Sequence, residues 1–295
     1  MSGTHGHAGG RHRWRLVVAF VLIAGFFVVE LVAGLLAQSL ALLSDAGHMA
    51  ADVVTLGAAL VATKVATRED RTGRRTFGSY RAEVFASGFA VLVMIGMSVY
   101  IAVEAVQRLG GTTTPAVGTM LLVGGLGLIV NVIALLMLRG GAAESINVKG
   151  AYLEVVADTL GSLGVIAAAL LVQWTGDGWW DTVIALAIAV FVFVRAVILA
   201  REVLTVLGQH APRGIDPDEL VRALEEVPGV VEVHDLHVWT LTSGMDVATA
   251  HVVAATDSQD VLAQAAEVLR VQFNVAHATL QVEDEDASPC QGATW

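Results

Sequence analysis

Three ionisable residues crowd the stretch LLSDAGHMAADVV, residues 42–54: Asp45, His48 and Asp52. His48 and Asp52 are four apart, so on a helix both project from one face. A second pair at the same spacing, Glu154 and Asp158, stands in YLEVVADTLGS. One imidazole and three carboxylates, two from each of two helices, suit a divalent cation with tetrahedral preference, zinc first. The surroundings are apolar, and an ionised side chain at the centre of a bilayer costs roughly 3 kcal/mol or more. Polar groups in such helices can also merely bond a neighbouring helix, at about 1 kcal/mol each. Four ionisable groups in two matched pairs exceed what packing needs, which favours a cation site.

Other polar residues in apolar runs carry weaker signals. Asp45, one turn before His48, is placed to hydrogen-bond it or to line an entry path. Glu30 in FFVVELVAG faces the same cavity or bonds a neighbour, and Asn131 reads as a helix-to-helix hydrogen bond. Tyr80, Arg81 and Glu83 stand at a helix start, where ion pairing between helices is the default reading. No HExxH, GxSxG, GxxxxGK[ST] or GxGxxG occurs. The chain is therefore read as no enzyme, and any uphill movement of an ion must be driven by another ion's gradient.

The elements that position these residues follow from composition. Of the 295 residues, 55% are hydrophobic and 15% charged, against about 25% charged in soluble domains; mean hydropathy is +0.68. The chain reads as an integral membrane protein. Crossing the hydrocarbon takes about 20 apolar residues, and six spans are expected at 15–36, 40–66, 81–107, 115–138, 147–173 and 180–202. The first follows Arg11, Arg13 and Arg15 but is too long for a cleaved signal, and is read as retained. Basic residues concentrate in the N-terminal tail and in KVATREDRTGRRTFGSYR, so both termini face the cytoplasm. Trp179 and Trp180 then anchor the far interface.

Charge separates two regions. Residues 1–208 hold 14 basic and 13 acidic residues, whereas 209–295 hold 3 and 15. The acidic region excludes nucleic acid as a partner. Its pattern is αββαβ: DPDELVRALEEV and DSQDVLAQAAEVLRVQF carry helical spacing, while VVEVHDLHVWTL, MDVATAHVVAA and ATLQVE read as strands. The expected organisation is a tail (1–14) bearing histidines, a six-helix transport domain (15–208), a cytosolic α+β domain (209–284) and a short tail (285–295). A core so small makes dimerisation a reasonable expectation. The single cysteine, Cys290, excludes a disulfide framework and Cys-rich zinc modules.

SLALLSDAGHMAADV, FGSYRAEVFA, NVKGAYLEVVADTLGSLGVI and VHDLHVWTLTSG together resemble the cation diffusion facilitators of the zinc-transporting type, over residues 15–283. The resemblance implies an all-α six-span membrane domain with a ferredoxin-like cytosolic domain, assembled as a homodimer; the compact chain with short loops points to a bacterial inner membrane. It implies exchange of Zn²⁺ for H⁺ by alternating access, with His48, Asp52, Glu154 and Asp158 as metal ligands. The chain departs from the pattern at Glu154, where many zinc-type members carry histidine; carboxylate for imidazole hardens the site and widens the expected selectivity to Co²⁺, Cd²⁺ or Mn²⁺. A manganese or iron exporter of the same fold is the alternative transport reading, and a membrane metal sensor that moves nothing is the rival. The resemblance also implies a second zinc site in the cytosolic domain, for which His234, His237, His251, His277 and Glu283 are the available groups. Ala276 precedes His277 where paired histidines are common in the family, and the histidines of this domain equally read as plain surface or core residues.

Overall fold

In the computed structural model the described residues are 9–66, 76–108, 114–139, 146–242, 244–255 and 258–284. Most of the N-terminal tail and all of the C-terminal tail lie outside them. Six long helices come first: α1 (Gly9–Ala37), α2 (Leu40–Ala66), α3 (Ala82–Arg108), α4 (Val117–Leu138), α5 (Ile146–Thr175) and α6 (Trp179–Leu207). Among the described residues, five of them (α1, α3, α4, α5 and α6) are long and apolar enough to cross a membrane. The sixth, α2, is 27 residues long and carries Asp45, His48 and Asp52.

The chain divides into two compact units, residues 1–73 with 85–200 and residues 74–84 with 201–295. In the first unit α1 packs on α2 and α4, and α5 on α4 and α2. Small residues at the contacts, Ala33, Ala41, Ala168, Ala169 and Ala185, let the backbones approach closely. Leu22, Phe85, Leu126, Leu136 and Val190 point outward and are exposed, as expected where the surrounding solvent is lipid. Asn131 Nδ2 reaches Ser162 Oγ across α4 and α5 at 3.4 Å.

The start of α2 is held by a residue far along the chain. Helix N-termini leave unpaired backbone N–H groups, and here Asp181, in the first turn of α6, meets them. Its Oδ2 accepts from Leu40 N at 2.6 Å, and its Oδ1 accepts from Ala41 N at 3.1 Å and from Ser39 Oγ at 2.6 Å. Asp181 is only 1% exposed. Just before this cap the chain turns through Gln38, in the left-handed region (φ 54°), whose carbonyl accepts from Arg108 Nη1 at 2.6 Å. The corner between α1 and α2 is thus tied to α3 and α6, which sets where the His48 face of α2 points.

The second unit contains α7 (Pro217–Glu225), β1 (Val230–Thr242), β2 (Met245–Ala254), α8 (Ser258–Gln272) and β3 (His277–Asp284). Asp216 caps α7 by accepting from Asp218 N at 3.0 Å, with Pro217 at the first helical position. The sheet order is β1-β2-β3, with β1 and β2 antiparallel and β2 and β3 parallel. Leu220 and Leu224 of α7 and Val261, Ala265 and Leu269 of α8 bury against Val233, Ala248 and Val252 of the sheet. The alternation expected through VVEVHDLHVWTL is interrupted. His234 pairs with His251 but His237 pairs with Thr249, so β1 carries one extra residue between the two histidines, with like shifts near each end of the strand. Asp235, at φ 51°, takes up the bulge.

Removing the carboxylate that caps α2 leaves buried N–H groups unpaired, each costing about 1–3 kcal/mol. Asp181→Ala should therefore destabilise the purified protein by about 2–4 kcal/mol, seen as a clear fall in the thermal midpoint in detergent. Asp181→Asn, which keeps an acceptor, should fall by less.

Candidate metal centre

Packing of α2 on α5 brings part of the expected ligand set together. His48 Nε2 lies 3.9 Å from Asp52 Oδ2 and 3.0 Å from Asp158 Oδ1. The ligand atoms of His48, Asp52 and Asp158 all fall within 4.8 Å of one another. His48 is buried, and the two aspartates are partly so. Glu154 stands on α5 one turn before Asp158, but its side chain lies outside the described residues.

The polar atoms suit a cation. Among the described residues Asp158 Oδ1 and His48 Nδ1 are buried without a hydrogen-bond partner. Nε2 and Asp158 Oδ1 are too close for two bare lone pairs, so either a proton on Nε2 or a cation stands between them. One carboxylate oxygen from each aspartate and one imidazole nitrogen form a mixed N/O set of the kind that borderline divalent ions take.

Asp45 and Glu30 form a neighbouring carboxyl pair in the same unit. Glu30 is 1% exposed and Asp45 is also buried, and their carboxyl groups hydrogen-bond each other. Such a bond requires a proton on one of the two, because an ionised carboxylate only accepts. Asp45 is accommodated by Gly161, one turn past the Asp158 level of α5. A Cβ at that position would run into the Asp45 carboxylate.

The sequence reading missed Arg195. It stands midway along α6, and its Nη1 is 2.8 Å from His48 Nε2. The signal was in view: one arginine inside AVFVFVRAVILA, where a charge within a span marks function by default.

A second group of ligand atoms lies in the other unit. His251 Nδ1 is 2.8 Å from Glu283 Oε1, and His234 Nε2 is 3.6 Å from Glu283 Oε2. The sheet accounts for it: His234 and His251 are cross-strand partners, and β3 runs beside β2 on its other edge. The bulge residue Asp235, not among the residues picked out from the sequence, adds a carboxylate oxygen 3.9 Å from His251 Nε2. His237 and His277 are not in this group. His237 Nε2 contacts Asp235 Oδ1 at 3.2 Å, and the His277 ring packs edge-on against Phe77, 5.6 Å between centroids. The bulge keeps His237 on the His234 face, but its partner Thr249 stands two residues along β2 from His251, and β3 begins at His277, four residue pairs from the His251 level.

Two family models cover nearly the whole chain: the cation efflux transmembrane domain over residues 16–207 and the cation efflux protein cytoplasmic domain over 212–285. The chain belongs to the cation efflux, or cation diffusion facilitator, family. That family comprises membrane cation transporters and not enzymes. A relative from Cupriavidus metallidurans, named metal cation efflux system protein CzcD, is 41% identical over 98% of this chain and 91% of its own length. A Bacillus subtilis relative, named a cadmium, cobalt and zinc/H⁺-K⁺ antiporter, is 34% identical over 95% of this chain and 92% of its own. The Escherichia coli zinc transporter ZitB is 34% identical over 99% and 95%.

If Gly161 exists to make room for Asp45, a methyl group there must turn that carboxyl away from Glu30. Gly161→Ala should lower stability by about 1–3 kcal/mol and weaken metal-induced thermal stabilisation. Gly125→Ala, on α4 where a Cβ meets nothing within 4 Å, should be neutral or slightly stabilising. Thermal shifts in detergent with and without zinc measure both.

Proposed function

We infer that this chain exports divalent metal, zinc foremost, from the cytoplasm in exchange for protons. The observation that carries the reading is the gathering of His48, Asp52 and Asp158 ligand atoms within 4.8 Å of one another between two helices of the membrane unit. Glu154 completes the set as the fourth ligand, from the helix face that carries Asp158. We take α2 as the sixth span, with both termini cytoplasmic, since its charges are satisfied inside the bundle and need not face lipid. The protein works as a homodimer in a bacterial inner membrane, with residues 15–208 as the transport domain and 209–284 as a ferredoxin-like cytosolic domain. His234, His251 and Glu283 bind a further metal ion there. The names of the Cupriavidus, Bacillus and Escherichia relatives support a divalent cargo, and the Bacillus name supports antiport with protons.

The chemistry follows from the ligand types. Imidazole binds metal only when neutral, and carboxylates only when ionised, so protons and metal compete for the same atoms. On the cytosolic side metal loads onto deprotonated ligands. On the far side protons take His48 and a carboxylate, and the ion leaves. The charges on α2 and α5 are neutralised in turn by metal and by protons.

The direct test is flux into sealed vesicles containing the purified protein. Zinc uptake should require an imposed pH gradient and be indifferent to ATP, and His48→Ala or Asp52→Ala should reduce it at least about tenfold with insertion intact. Metal binding without flux would overturn transport in favour of a sensor. Flux unchanged after an ionophore collapses the pH gradient would overturn the proton coupling.

A broader cargo range is favoured by Glu154, since three carboxylates and one imidazole form a harder set than two of each. Glu154→His should raise the zinc-to-manganese flux ratio by at least about threefold, measured for both ions in the same vesicles. An unaltered ratio would remove Glu154 from the ligand set.

A further inference from the structure

Arg195 occupies an unusual place for an arginine. It lies midway along α6, within an apolar run of the membrane unit. Burying a guanidinium there is costly unless a specific neighbour repays it. Its Nη1 is 2.8 Å from His48 Nε2. That same nitrogen faces Asp158 Oδ1 at 3.0 Å and Asp52 Oδ2 at 3.9 Å. Nε2 is therefore both the atom that points into the candidate metal centre and the atom the arginine holds.

Donor chemistry makes those two uses exclusive. A guanidinium has five N–H donors, no acceptor, and stays charged in proteins. Its bond to Nε2 takes the single in-plane lone pair of a neutral imidazole. A metal ligated through Nε2 takes the same lone pair. A divalent ion between His48 and the two aspartates would also stand within a few ångströms of the guanidinium charge, and the two repel.

We propose that Arg195 is a tethered cation that exchanges with the transported metal at His48, docking on the neutral Nε2 once the protons have left the site and withdrawing when the metal loads. This rests on the reading of His48, Asp52 and Asp158 as the transport site. Arg195 is a positioning residue in this scheme. It offsets the carboxylates of the site after the protons have left and before metal arrives. It also weakens metal binding enough for the ion to be released. A monovalent ion, with half the charge of the cargo, gains too little from the aspartates to displace it.

The test uses the full-length protein carrying His251→Ala and Glu283→Ala, so that the cytosolic group does not contribute to metal binding. Zinc affinity is measured in detergent by competition with a chromophoric chelator, and maximal zinc flux in vesicles. R195Q keeps a polar side chain without the charge. It should bind zinc at least about tenfold more tightly while its maximal flux falls several-fold, a pair of opposite movements that loss of structure would not produce. R195K keeps the charge but loses the planar fork, and should lie between R195Q and the arginine protein in both measurements. Zinc affinity in folded R195Q that is unchanged or weaker overturns the exchange. If R195Q fails to fold, R195K decides: affinity equal to or below that of the arginine protein overturns it. D158N separates this inference from the site reading beneath it. Unchanged zinc affinity in D158N would remove the site, and the exchange with it. Weakened affinity in D158N with no tightening in R195Q would leave the site and remove only the role of Arg195.

Discussion

A charge inside an apolar bundle must be met by a partner, and the membrane unit is organised around that demand. Water is absent from the hydrocarbon, so every buried donor and acceptor has to be satisfied by protein or by cargo. Five ionisable groups, Glu30, Asp45, His48, Asp158 and Arg195, interact in one connected set that draws on α1, α2, α5 and α6. Asp52 joins it from the next turn of α2. The set places groups of both charge signs within reach of one another instead of in isolated pairs.

The packing that supports this set is made from small residues. Alanines at the helix contacts and Gly161 beside Asp45 allow close approach of backbones, while the large aliphatic side chains point outward. The cap on α2 has the same logic. Asp181 brings a carboxylate to unpaired N–H groups at a helix N-terminus, where both hydrogen bonding and the helix dipole favour it. Moving α6 would move the start of α2, and with it the depth of His48. Arg195 ties the same two helices further along. Polar contacts between α2 and α6 at three levels, at Asp181, between Ser44 Oγ and the Ala185 carbonyl, and at Arg195, define their register better than apolar packing alone, since dispersion contacts tolerate sliding and directed hydrogen bonds do not.

The other unit solves a different problem. Its three strands bring His234, His251 and Glu283 together through ladder register, with no help from helix spacing. The bulge at Asp235 supplies a further oxygen and brings His237 onto the same face as His234, beside Asp235. Bulges commonly re-aim side chains in this way next to binding sites.

Much of this was legible in the sequence. Apolar runs of bilayer length define the long helices, and the spacing of His48 with Asp52 is set by the helix itself. The change from helical to alternating pattern after Gly208 marks the αββαβ region, and DPDEL announces the cap on α7. These are local features, decided within a few turns of chain. Which charges meet was decided only in three dimensions. His48 and Arg195 are 147 residues apart, and Ser39 and Asp181 142 apart; no periodicity connects them. The Asp235 bulge was equally hidden, because VHDLHV satisfies the strand pattern with or without one extra residue, and only pairing with β2 chooses between them. Local geometry follows from the order of residues, whereas a buried charge finds its partner through the packing of whole helices.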